Sequence, residues 1–183
     1  MDPFKTGLYE GRMPIQKSRP TIGLLCDVLW NQYSCDMWAG VRDAAHELDA
    51  NLVYFAGGIL ALPLNYYNQA NVIYERVNQE QLDGLVIWTG QLAHLLGAEE
   101  VIKFCRRFQP LPMVSIELEL KGIPSLVINN YQGMYDLVTH LIEVHHYQRL
   151  AYIDYPTQLP ITEARYRGYS DALRDHGISL DSN

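Results

Sequence analysis

From Thr21 onward, short apolar runs alternate with stretches whose apolar positions recur every three or four residues. Thr21–Cys26, Asn51–Phe55, Leu85–Trp88, Met113–Ile116, Ser125–Ile128 and Leu150–Ile153 read as six buried strands. Between them, Met37, Val41, Ala44, Ala45 and Leu48 share one helical face. Tyr66, Ala70, Ile73 and Val77 do the same, followed by Val101, Cys105 and Phe108, then by Met134, Leu137, Val138 and Leu141. A last helix is predicted from about Thr162 to His176, with Gly177 as its stop. Strands apolar on both faces, separated by helices, predict an α/β protein: a doubly wound parallel sheet with helices on both faces. A ligand crevice is expected beyond the carboxyl ends of its strands. A strand and helix after residue 145 cannot bury their apolar faces alone. Either they pack on the main sheet or the protein continues.

Composition adds exclusions. Of 183 residues, 48% are hydrophobic and 19% charged, which fits a folded core rather than a disordered chain. The least charged long stretch, residues 52–70, is interrupted by Gly57, Gly58, Pro63, Asn65 and Asn68 and is too polar to span a bilayer. The first twenty residues hold no apolar run of the secretory kind, so the cytoplasm is the expected location. Residues 1–19, with Pro3 and Pro14, read as an arm or linker. Net charge is −7, and the first twenty residues hold four basic groups against two acidic, leaving ten against nineteen for the rest. Such a body repels a phosphate backbone, and the cluster Lys103, Arg106, Arg107 reads as a solvated helix face; direct nucleic-acid binding is not expected.

Cys26, Cys35 and Cys105 lack paired spacing and read as reduced, mostly buried thiols. His140 and His145 would point about 140° apart on a helix at ~100° per residue, so no metal site is expected. Phosphate-binding glycine loops and the Gly-x-Ser-x-Gly elbow are absent, and Glu117 with Glu119 reads as a solvated pair rather than an acid and base. No cofactor is expected, and the chain reads as a binder rather than an enzyme. Trp30, Tyr33, Trp88 and Thr89 fall at or just past strand ends, where aromatic faces suit a sugar ring or planar base. Asp27, Ser115, Asn129 and Asn130 sit at equivalent ends and offer polar groups. The competing readings are Trp88 in the core and Asn129 as a helix cap.

Five segments in this order carry a family resemblance: Arg19–Leu25, Trp38–Ala45, Leu82–Trp88, Ile123–Gly133 and Glu163–Leu173. Together they make residues 19–181 similar to the effector-binding domain of the lactose-repressor/galactose-repressor family, with its type I periplasmic-binding-protein fold built on a flavodoxin-like lobe. The resemblance implies a ligand-binding lobe over 20–145 and the start of an incomplete second lobe over 146–183. The family's Asn-Pro-aromatic-aromatic turn corresponds to residues 31–34, so Tyr33 keeps a stacking ring, while Gln32 replaces the proline and Ser34 the second aromatic. Its Val-Asp-Asn reads Ile128, Asn129, Asn130 here, and Arg165, three residues before Gly168, matches an arginine that holds the effector from the second lobe.

The arm over residues 1–19 is too short for the family's helix-turn-helix. The wording of residues 67–74, 104–116 and 131–134 is similar to sensor regions at the N-termini of bacterial diguanylate cyclases and hybrid histidine kinases. The resemblance therefore implies a cytoplasmic, homodimeric sensor of a sugar-like small molecule that regulates a downstream signalling domain in cis by lobe closure. The alternative is the effector-binding domain of a transcriptional regulator whose helix-turn-helix is absent from this chain.

Overall fold

The structure is a computed structural model that describes residues 19–27, 31–93, 95–154 and 160–180, with only the backbone of Asn65 and Tyr67. Five parallel strands form one sheet: β1 (Thr21–Cys26), β2 (Asn51–Ala56), β3 (Gly84–Ile87), β4 (Met113–Ile116) and β5 (Ser125–Leu126), in the order β2-β1-β3-β4-β5. Leu25 is in register with Phe55 on one side and Ile87 on the other, and Ile87 with Ser115, so the carboxyl ends of the central strands lie side by side. The helices are α1 (Gln32–Glu47), α2 (Asn65–Ala70), α3 (Thr89–Leu92), α4 (Ala98–Arg106), α5 (Asn130–Glu143) and α6 (Pro160–Asp175), and a 3-10 turn over Asn71–Arg76 continues α2.

Successive side chains of a strand point to opposite faces, and the apolar runs therefore feed two cores. Leu25, Leu85 and Ile87 pack with Tyr74, Val101, Phe104, Cys105 and Phe108 beneath the 3-10 turn and α4. Leu24, Cys26, Trp88 and Ile116 pack on the other face beneath Met37, Trp38 and Val41 of α1. Each fully buried leucine contributes about 1.5–3 kcal/mol, which is why these strands need no alternation of polar residues. Cys26 and Cys105 are buried, and Cys35 is exposed.

A third core belongs to α5 and α6 themselves: Val138, Tyr169, Ala172 and Leu173, with Met134, Tyr135, Ile142, Leu150 and Tyr152 against them. Gly168 lets the two backbones meet, since a Cβ there would stand 2.4 Å from the Tyr131 carbonyl oxygen. Tyr131 donates to Asp171 at 3.0 Å and Tyr135 to Asp175 at 3.1 Å, forming two rungs one helical turn apart.

The sheet departs from the sequence pattern in two places. Leu150–Ile153 is not a strand: Leu150 and Tyr152 pack on α6 while Ile153 is 94% exposed, and among the described residues no strand lies beside the segment to complete a ladder. The fifth strand is only Ser125–Leu126, and the apolar Val127 and Ile128 beyond it are exposed. The short α3, directly after β3, was not marked by any periodicity.

Candidate functional site

The strand ends are tied together before any ligand group is presented. At the end of β1, Asp27 is buried; its N–H donates to Gln91 at 3.3 Å and its carbonyl accepts from the Tyr54 hydroxyl at 2.6 Å. Asn31 caps α1, its Oδ1 accepting from the Ser34 N–H at 2.8 Å and from the Ser34 hydroxyl at 3.0 Å. The Gln91 amide donates to Ser34 Oγ at 3.2 Å, so one side chain joins α3 to the start of α1.

This frame holds Tyr33, which is 49% exposed, at the first turn of α1. Its ring meets Trp88 edge to face, 5.5 Å between centroids, and its hydroxyl donates to Glu117. Burial of the phenol, followed by the bond to Glu117, pushes its pKa up, and the charge of Arg165 opposes the shift. Trp88 is 2% exposed, and its Nε1 has no hydrogen-bond partner among the described residues.

Glu117 is placed by the loop after β4. Thr89 Oγ1 lies 2.6 Å from Ser115 Oγ and donates to the Ile116 carbonyl at 2.8 Å, while Ser115 donates to the Leu118 carbonyl at 2.7 Å. Glu117 itself has a φ of 74°, a left-handed conformation for which its N–H bond to the Leu126 carbonyl at 2.8 Å compensates. Its side chain lies against Gly90, where a Cβ would come within 2.5 Å of Glu117 Cβ.

From the other side, Asn129 caps α5 by accepting from the Gln132 N–H at 3.1 Å. Asn130 Oδ1 accepts from Arg165 Nε at 2.8 Å, which fixes the exposed arginine of α6 on the first turn of α5. Asp171 is held by Arg174 at 2.6 Å and by Tyr131. A cleft of about 910 Å3 opens beside these groups, bounded by Glu117 and the loop to Gly122, by Asn129 and Asn130, and by Ile161 and Ala164 of α6.

The structure thus brings Tyr33, Asn130 and Arg165 to one end of the sheet, with Asn129 capping α5 on the cleft wall, whereas Trp88, expected to face a ligand, is packed in the core beneath α1. Asp27, Ser34, Thr89 and Ser115 are buried and build the frame, with Ser34, Thr89 and Ser115 bonded through their hydroxyls to protein groups. Trp30 lies outside the described residues. Sequence reasoning set aside Glu117 as solvated; its position one residue past β4, matching Trp88 past β3, was the signal that it belongs here. Gln91 was also missed. Among the described residues there is no cluster of metal-ligating side chains, and no helix long and apolar enough to cross a membrane.

Residues 19–183 match the sequence pattern of the family described as periplasmic binding proteins and sugar binding domain of LacI family. The HTH-type transcriptional repressor CytR of Escherichia coli (strain K12) is 30% identical over 113 residues, which cover 62% of this chain and 32% of that protein. The chain thus spans about a third of the curated relatives it matches. The fold is also that of the transcription regulator CcpA of Lactococcus lactis, with a TM-score of 0.70 and 22% identity, covering 90% of this chain and 57% of that one. An ABC transporter periplasmic solute-binding protein from Actinobacillus succinogenes 130z with bound D-allose superposes with a TM-score of 0.67 at 16% identity, over 87% of this chain and 57% of that one.

Proposed function

The chain belongs to the family of periplasmic binding proteins and LacI-family sugar-binding domains, and from that membership we propose that it is the effector-sensing module of a transcriptional regulator, with a sugar-like small molecule as effector. The observation that carries this reading is that Glu117, bonded to Tyr33, and Asn130, bonded to Arg165, line one cleft. An aromatic edge, a carboxylate, an amide and a guanidinium form the set that a ring bearing several hydroxyls needs. No nucleophile with a base accompanies them among the described residues, which favours binding over turnover.

The module works by favouring one arrangement of two lobes, and its leverage equals the effector's differential affinity for that arrangement. The packing of α5 on α6 supports a lobe boundary at residues 127–129, ahead of α5, in place of residue 145. A cytoplasmic location and a homodimer belong to the same proposal. That its relative CytR is a repressor supports transcriptional regulation over the second reading, a signalling output domain in cis, for which the support is the wording of residues 67–74, 104–116 and 131–134. Sequence upstream of Met1 and downstream of Asn183 separates the two: a helix-turn-helix supports the first, a cyclase or kinase domain the second.

The proposal is tested by thermal-shift screening against neutral sugars and nucleosides, followed by Arg165→Ala. The variant is expected to abolish the ligand-induced shift and to leave the unliganded melting point nearly unchanged, because Arg165 is exposed. Full affinity in the variant removes Arg165 from the site, and a screen in which no polyol raises the melting point overturns the sugar reading.

A further inference from the structure

We propose that Tyr33 is an internal competitor for the effector. Its hydroxyl holds the Glu117 carboxylate until a hydroxyl of a neutral polyol takes its place, and the same carboxylate turns away phosphorylated ligands. The inference rests on the effector-site reading above and names the ligand class that the site takes.

Glu117 cannot retreat from the opening. Its side chain is backed by Gly90, its N–H is bonded to the Leu126 carbonyl, and its left-handed backbone directs the loop away from β4. A carboxylate held in this way accepts hydrogen bonds only, so any ligand that reaches it must bring a donor. Tyr33 currently supplies that donor from a side chain that is half exposed, at the first turn of α1, with its ring edge to face against Trp88. The phenol is the movable partner and the carboxylate the fixed one.

Beside the ring, Trp88 is 2% exposed and its indole N–H lacks an acceptor among the described residues. Removing a buried donor from water without a partner is unfavourable, so a ligand oxygen delivered there is rewarded. Donation to Glu117 and acceptance from Trp88 are both functions of a hydroxyl, which performs either role; neighbouring hydroxyls on one ring satisfy the pair. A phosphate or carboxylate at the same place accepts from Trp88 but repels Glu117. Arg165 is held by Asn130.

The test is calorimetric titration of the 183-residue chain with D-ribose, D-xylose, D-glucose, D-galactose, D-allose and the monophosphate of each, for the unaltered protein, Tyr33→Phe and Glu117→Gln. Tyr33→Phe keeps the ring and removes the competing hydroxyl, and is expected to tighten binding of the preferred neutral sugar about tenfold, the exchange of one modest hydrogen bond. Glu117→Gln is expected to weaken that sugar about tenfold or more and to narrow the preference over its phosphate. Neutral-sugar binding that neither variant changes overturns the inference and leaves the effector reading standing, as does tighter binding of a phosphate than of its parent sugar. Absence of any binding overturns both.

A sugar-free measurement separates the two further. Releasing Tyr33 in Glu117→Ala, which removes the acceptor altogether, is expected to alter the near-UV circular dichroism of the Tyr33–Trp88 pair, with the far-UV spectrum unchanged. An unaltered near-UV spectrum overturns the competitor role whatever the titrations give.

Discussion

Gly168→Ala and Gly133→Ala make the same chemical change on two helices that touch, and the structure gives them opposite signs. At Gly133 in α5 a methyl group meets nothing within 4 Å, so the substitution gains helix propensity of about 0.8–1 kcal/mol. At Gly168 in α6 the same gain is overridden. The added Cβ would stand 2.4 Å from the Tyr131 carbonyl oxygen and 3.1 Å from the Tyr135 nitrogen, both backbone atoms that cannot rotate aside. A carbon–oxygen contact settles near ~3.3 Å, so α6 must move off α5 by about 1 Å. A gap of that size forfeits roughly a quarter to a half of the dispersion energy along the contact, here Tyr169, Ala172 and Leu173 on Val138. Overpacking of this kind costs about 1–3 kcal/mol, and after the propensity gain Gly168→Ala is expected to be destabilised by up to about 2 kcal/mol. The assay is urea unfolding followed by far-UV circular dichroism, because the tryptophans at 30, 38 and 88 are all outside this helix pair. Gly168→Ala matching or exceeding the parent in stability would show that the two backbones do not meet there.

Two further outcomes are expected. Tyr74→Phe removes the donor that serves the Cys26 carbonyl at 3.1 Å and the Gly58 carbonyl at 3.3 Å inside the core, and is expected to cost about 1–2 kcal/mol in urea unfolding; an unchanged midpoint refutes it. His176 donates through Nδ1 to the Ala172 carbonyl at 2.7 Å and faces Glu143 of α5 at 3.2 Å, with Asp175 beside it; the carbonyl first and Glu143 second raise its pKa above 6.5. Its stabilising effect is therefore complete below about pH 6.5 and lost as pH rises through the raised folded value. Melting curves across that window should fall more for the parent than for His176→Gln, and parallel curves would refute the contribution.

What could be read from the sequence was whatever a residue decides with its immediate neighbours. The runs at β1 and β3 are apolar at every position because both faces of the sheet are covered, and the stripes of α1 and α5 follow from their own spacing. Leu150–Ile153 has the same apolar look, but a strand exists only with a partner, and nothing in four residues says whether one is present. The site divides in the same way. Tyr33 and Arg165 carried a recognisable local pattern, whereas Glu117 depends on a left-handed turn, on the missing side chain of Gly90 and on a hydroxyl 84 positions away. Ser34, Thr89 and Ser115 have the polarity of ligand contacts, and only packing shows that their hydroxyls are consumed internally.

The parallel register lines up the ends of β1, β3 and β4 while leaving the chain free to vary immediately beyond them. Tyr33 and Glu117, just past those ends, can therefore be altered without touching Leu25, Leu85 and Ile87, so the rim of the sheet is separable from the core that holds it.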